Sequence, residues 1–404
     1  MSIEMGVGVS SQADVSAAGH EAAQQMLAHL AGHKPDLVLV FSSIRFADPR
    51  LLRAIRTATG GAPLVGCTDA GGIVTSGPKR RSVTVIGLIG KNCSFVTAIE
   101  HQLSQRPRAA GERLADALLR GSRQTPNCLL VFPDGLTASG SEVLSGIESK
   151  MGPHVQIAGA TAADDLYYQK TFQYFNDEIL TDSMPAVLLC GSVKVGIGVR
   201  HGWVPVGRPR RVTRAEGHVV YQLDGRPAVS IYEDYLGLKR EELMQGTLAG
   251  VTLTYPLGTE VSGQSEYLLR DAIRLGRAGS LICTGNVEEG SEVNLMIGGY
   301  ESALEAAQQA ACDASDQLGS ARLTGALVFC SVARQKMLGS EFQGEIDVIR
   351  DALGGAGVRL GGFYSYGELA PTSNLPTSKV RSRQRSQKPN LLFHNESVVV
   401  VAFG

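Results

Sequence analysis

The sequence predicts an α/β fold: repeated strand-helix-strand units forming mixed sheets covered by helices, in two domains. Three observations predict it. Leu-Val-Phe ends an apolar run three times, as Leu39-Val40-Phe41, Leu130-Val131-Phe132 and Leu327-Val328-Phe329. An Ala- and Leu-rich helix-like stretch precedes each copy, at residues 22–30, 113–120 and 303–318. Each copy then leads through an amphipathic stretch to a glycine-containing turn at residues 66–72, 159–165 or 361–368. From phenylalanine to turn the distance is 25 residues (41 to 66), 27 (132 to 159) and 32 (329 to 361), room for one helix and its loops. Crossovers of that length make the two flanking strands parallel neighbours.

In the first unit, residues 36–41 read as a buried strand. Asp48 and Pro49 open a helix as N-cap and first-turn residue. A further apolar strand follows the turn at 83–88, as it does at 187–190 and 398–403. The second unit spans about 111–199. Residues 205–238 read instead as a meander, with alternating segments at 212–217 and 219–225. The charged stretch 235–245 places a boundary there, giving domains 1–236 and 237–404. Antiparallel segments at 252–255, 266–273 and 280–283 precede the third unit. Gly354-Gly355-Ala356-Gly357 follows a helical run and reads as a helix C-cap rather than a phosphate loop.

Composition narrows the partners. The 404 residues are 43% hydrophobic and 19% charged, with 38 basic against 39 acidic side chains. No global field attracts nucleic acid or anionic lipid. The apolar runs are too short to span a bilayer, and the N-terminus lacks a basic region followed by an apolar core, so a cytoplasmic protein is expected. Seven cysteines occur without a Cys-x-x-Cys pair, the pattern of reduced, buried thiols. The basic runs at 79–81, 208–214 and 379–388 read as solvated hairpin tips or a docking face for an acidic partner.

Carboxyl ends of parallel strands are where loops converge on ligands, which singles out the turns. Asp69, Asp164, Asp165 and Glu368 place carboxylates there, and Cys330, Arg334 and Tyr366 belong to the third turn's neighbourhood. Arg334 opposite Glu368 offers both signs for a zwitterion, or simply an ion pair tying down a loop. Cys67 is a packing residue or, in an enzyme reading, a nucleophile, as is Cys330. His201, beside Trp203, and His394 stand at strand ends. Each suits a structural role or axial ligation of haem iron. No hydrolase, metalloprotease or P-loop motif is present.

Together these residues resemble the FIST proteins, sensory FIST N and FIST C domains of prokaryotic signal transduction. The N-terminal likeness lies in Gly66-Cys67-Thr68 with Gly71, residues 159–165, and Gly202-Trp203 through Gly207 with Leu223-Asp224-Gly225. The C-terminal likeness lies in Cys330 with Arg334, Leu338-Gly339, residues 362–368 and Phe393-His394-Asn395. The resemblance implies a sensor that binds a small ligand, amino acids being proposed for the family, and regulates a histidine kinase, cyclic-di-GMP enzyme or chemoreceptor. Some stand-alone members are described as haem-containing nitric oxide sensors. It therefore allows either haem b, with His201 or His394 as its ligand, or no cofactor, and a homodimer is compatible with it. Cys330, Arg334, Tyr366, Glu368, Asp164, Asp165, Cys67 and Trp203 form the expected ligand-binding set, without catalysis. Gly72 stands where the family often has glutamate.

Overall fold

The computed structural model describes residues 3–137, 140–238, 242–243, 248–260, 267–371 and 391–404; the basic run at 379–388 lies outside them. The first unit is β1 (Ile3–Ser10), α1 (Val15–His29), β2 (Leu37–Ser43), α2 (Pro49–Ala58), β3 (Leu64–Asp69), a hairpin of β4 (Gly72–Val74) and β5 (Gly77–Lys79), then β6 (Val83–Gly90). Asp48 caps α2 by accepting the Arg50 amide, with Pro49 in the first turn, as the sequence indicates. The second unit repeats this order: β7 (Cys93–His101), α3 (Pro107–Gly121), β8 (Pro126–Val131), α4 (Gly140–Met151), β9 (Gln156–Ala160), a hairpin of β10 (Gln173–Phe175) and β11 (Glu178–Leu180), and β12 (Ser183–Gly191).

The third unit opens with β13 (Val195–Arg200) and is then interrupted. The insert contains β14 (Val204–Glu216), β15 (Val219–Leu223), β16 (Arg226–Pro227), α5 (Ser230–Leu236), α6 (Leu248–Thr252), β17 (Leu257–Glu260), β18 (Tyr267–Arg270), β19 (Ala272–Leu275), β20 (Leu281–Cys283) and β21 (Glu292–Ile297). Its strands form one sheet that draws on both sides of residue 236. The unit resumes with α7 (Tyr300–Asp316), β22 (Gly325–Ser331), α8 (Val332–Leu338), α9 (Gln343–Ala352), β23 (Arg359–Ser365), a hairpin of β24 (Glu368–Pro371) and β25 (Leu391–His394), and β26 (Val398–Phe403).

The parallel pairs β2/β3, β8/β9 and β22/β23 are those the crossover lengths predict. The hairpins, however, are exchanged. β4/β5 extends the third unit's sheet, β10/β11 the first unit's, and β24/β25 the second unit's. Three interlocked sheets thus enclose one apolar core. Helices cover their outer faces in three further clusters.

The repeated Leu-Val-Phe builds the centre of this ring. Phe41, Phe132 and Phe329 meet there, with ring centroids 5.2, 5.9 and 6.3 Å apart. The adjoining valines explain the glycines. Val40, Val131 and Val328 pair with Gly66, Gly159 and Gly362 on the parallel neighbour strand. A Cβ at those glycines would stand 1.8, 2.0 and 1.8 Å from the paired valine's carbonyl oxygen. No rotamer relieves a clash with backbone. Gly66→Ala is expected to cost about 3 kcal/mol, the upper end of overpacking effects, read as a lowered midpoint in urea unfolding with unchanged slope.

Candidate functional site

The three glycine turns converge at one end of the ring and hydrogen-bond to one another. Two bonds join turns one and three (Ala70 N to Tyr364 O, 3.0 Å; Tyr364 N to Gly71 O, 2.8 Å). Ala163 N donates to Thr68 O at 2.9 Å, joining turns two and one, and Thr161 N to Gly367 O at 2.8 Å, joining turns two and three. The insert lies over this end, leaving a cavity of ≈670 Å³ between it and the ring. Thr161, Ser331, Tyr366 and Asn395 line it from the ring side; His218, Asp271, Ile282 and Thr284 line it from the insert.

Asp164 organises one wall. Its Oδ1 accepts the Tyr168 amide at 2.8 Å, and its Oδ2 accepts those of Gln169 and Lys170 at 2.7 and 2.9 Å. These bonds hold Tyr168 at φ 53°, a left-handed conformation that non-glycine residues adopt only when tied down. The Tyr366 hydroxyl also donates to Asp164. Tyr168 and Tyr366 consequently stack at 4.5 Å and 12°. Burial pushes both phenols up, Tyr168 to about 12.

The floor is acidic. Asp271 is 7% exposed and Glu396 fully buried; among the described residues no hydrogen-bond donor reaches Asp271 Oδ1 or either Glu396 oxygen, and the two carboxyls interact with each other. Burial raises both acids, and each also acts on the other: the Asp271 charge lifts Glu396 further, while the bond from Glu396 draws Asp271 back. Neighbouring Arg270 spends its donors elsewhere, on the carbonyls of Leu269 (2.8 Å), Phe393 (3.1 Å) and Asn286 (3.2 Å). Burial draws its guanidinium down to about 10. Thr284 Oγ1 donates to Asn395 Oδ1 at 2.9 Å and accepts the Asp271 amide at 3.0 Å.

The expected site residues divide among several places. Tyr366 lines the cavity and Asp164 orders its wall. Asp165 accepts Ser43 Oγ at 2.6 Å and faces a separate cleft of ≈690 Å³ with Arg80, Arg81 and Lys336. Cys67 lies in the central core and Cys330 under the third unit's helices, both fully buried, and burial pushes both thiols well up. Glu368 is buried too, accepting Ser365 Oγ at 2.7 Å and the Ser397 amide at 3.2 Å.

The expected Arg334–Glu368 ion pair is replaced by another. Arg334 Nε donates to Glu345 Oε1 at 2.5 Å, both residues at 0% exposure. Its other nitrogens donate to the carbonyls of His201 and Ala303. One carbonyl is where the chain leaves for the insert and the other where it returns, so a single guanidinium fastens both crossings. Trp203 packs beside it, 6.0 Å from the guanidinium carbon and against Leu269 and Met296.

The two histidines do not suit haem. His201 Nδ1 accepts the Trp203 amide at 2.9 Å, and burial followed by the Arg334 charge draws its pKa down to about 3. His394 Nε2 sits 3.2 Å from Ala370 O, and burial draws it to about 4. Both are nine-tenths buried and neither lines the cavity; His201 Nε2 has no hydrogen-bond partner among the described residues. Among the described histidines, His218 is the one that faces the cavity.

Sequence reasoning passed over His218, Asp271 and Glu396. One signal was available for Glu396: a lone acid wedged between Phe393-His394-Asn395 and the apolar strand 398–403. Asp271 likewise follows Arg270 inside an apolar segment, where charges are rarely placed without a partner.

Three interlocked α/β units with an inserted sheet over a cavity of small-molecule size define a ligand-binding module. The chain belongs to the FIST family: residues 36–226 match the FIST N domain and residues 228–371 the FIST C domain. FIST domains are signalling sensor domains that bind small ligands. An uncharacterized protein of Mycobacterium tuberculosis is 27% identical over 387 residues, covering 92% of this chain and 96% of its own length. Another uncharacterized protein, from Methanocaldococcus jannaschii, is 37% identical over 111 residues, covering 28% of this chain and 21% of its own. The cyanuric acid hydrolase of A. caulinodans aligns over 99% of both chains at 8% identity with a TM-score of 0.36, too low to carry fold or chemistry across.

Proposed function

We propose that this protein is a non-catalytic sensor that takes a small organic ligand into the cavity between ring and insert and regulates a separate partner, such as a histidine kinase or cyclic-di-GMP enzyme. The observation that carries the reading is the cavity itself: ≈670 Å³, with an aromatic wall, apolar patches and convergent polar groups. That is the composition of a binding site for a small molecule. The buried, upshifted thiols of Cys67 and Cys330 favour binding over thiol catalysis, since the thiolate is the nucleophile. A ligand held by the cavity walls is also favoured over histidine-ligated haem and nitric oxide sensing. No helix among the described residues is long and apolar enough to cross a membrane.

A thermal-shift screen of small organic molecules checks the reading. A ligand at a hundredfold excess over its Kd is expected to add about 2.7 kcal/mol to stability. Ile273 lines the cavity at 55% exposure, so Ile273→Trp fills space without disturbing a core. It should abolish the shift. Ligands that stabilise wild type and the filled variant equally would move the site elsewhere, and a wild type silent to the whole screen would withdraw the proposal.

A further inference from the structure

We propose that Asp271 and Glu396 form a cation subsite in the cavity floor, which takes the protonated amine of a small organic cation and releases the proton the two carboxyls share. The inference rests on the cavity being the ligand site.

Nine-tenths buried carboxylates without donors are costly, and proteins relieve the cost with a proton or a counter-charge. Among the described residues no donor reaches Asp271 Oδ1 or either Glu396 oxygen, and the two acids have only each other. Arg270 contributes charge, while its described hydrogen bonds go to carbonyls and to Asn395. Two carboxyls holding one proton carry a single negative charge, which Arg270 balances. Exchanging that proton for an ammonium group keeps the balance: the ammonium N–H donates to Asp271, the shared O–H bond breaks, and its proton leaves to solvent. Asp271 makes the contact because it lines the cavity, and Glu396 lies behind it.

The remaining groups facing the pair are few. Tyr232, whose hydroxyl has no partner among the described residues, Cys283, Tyr168 and Glu368 interact with one or both acids, and Arg334 faces Glu396 from the third unit. No described group of three His, Cys, Asp or Glu side chains is arranged to hold a metal ion. The stacked tyrosines wall the cavity, and Lys336 Nζ, which also lines it, lies 6.0 Å over the Tyr168 ring. Leu253, Ile273 and Ile282 offer apolar surface for its tail.

The full-length protein is titrated with n-butylammonium, n-butanol and butyrate by calorimetry and saturation-transfer NMR. Butylammonium should bind at least about tenfold more tightly than either of the others. Its apparent enthalpy in Tris and in phosphate should differ by the ionisation heat of about one released proton, and its affinity should rise with pH, because deprotonation prepares the pair. Asp271→Asn should lose this preference. Glu396→Gln leaves Asp271 as a lone carboxylate with no proton to share, so it should bind the amine more weakly than wild type and release no proton. Amine binding with no proton release in wild type overturns the proposal, as does equal affinity for butanol. If butanol or butyrate enters the cavity while the amine does not, the subsite falls and the ligand-binding reading stands. If all three fail to bind, the subsite is rejected, and the wider screen decides the cavity separately.

Discussion

Replacing Arg334 with methionine will destabilise the protein by about 3–5 kcal/mol, the cost of breaking one side of a buried ion pair. The loss is not that of the bond alone. Glu345 remains as an uncompensated charge at 0% exposure, and the carbonyls of His201 and Ala303 lose their donor. Adding Glu345→Gln to Arg334→Met should recover part of the loss, since no buried charge is then left over. Urea unfolding of the two variants measures both effects. An unchanged midpoint for Arg334→Met would mean that the guanidinium fastens nothing. The second variant also separates mechanisms, for a purely steric role would give no recovery.

Truncating Phe329 to alanine will cost a similar amount, about 3–5 kcal/mol, through lost burial and the cavity left in a close-packed centre. Phe41 and Phe132 should behave alike, because each ring packs edge-on against the other two. The informative measurement is the double variant. Residues in contact couple by about 0.5–3 kcal/mol, so Phe41→Ala with Phe329→Ala should differ from the sum of the single losses. Strict additivity would show that the three rings do not act as one cluster.

These two sites also show what the sequence made legible. The repeat of Leu-Val-Phe, the glycine turns and the Asp48-Pro49 helix start are local patterns, and each corresponds to a feature of the ring. Exchange of the hairpins left no such trace. Strands of three residues such as Gly72–Val74 and Gln173–Phe175 carry almost no register information, so their partners are chosen by the assembled sheet edges. The cavity floor was hidden for a related reason. Asp271 and Glu396 belong to different parts of the chain, and only the seating of the insert on the third unit brings them together. Arg334 was noticed as a charge but given the wrong partner, because Glu345 lies on the outer helix rather than in the turn. Asp164 and Tyr366 were visible because the turns concentrate at strand ends, where polar residues stand out against apolar runs.

The exchanged hairpins divide the molecule mechanically. Every sheet of the ring contains strands from two units, so displacing any unit tears backbone hydrogen bonds in more than one sheet. The insert is exempt: all its strands come from residues 204–297 and pair with one another. It is joined to the frame by two crossings that Arg334 holds side by side. The three units are thus held to one another by shared sheets, and the insert is held to them by side chains, among them Arg270 and Thr284 on the segment 393–395.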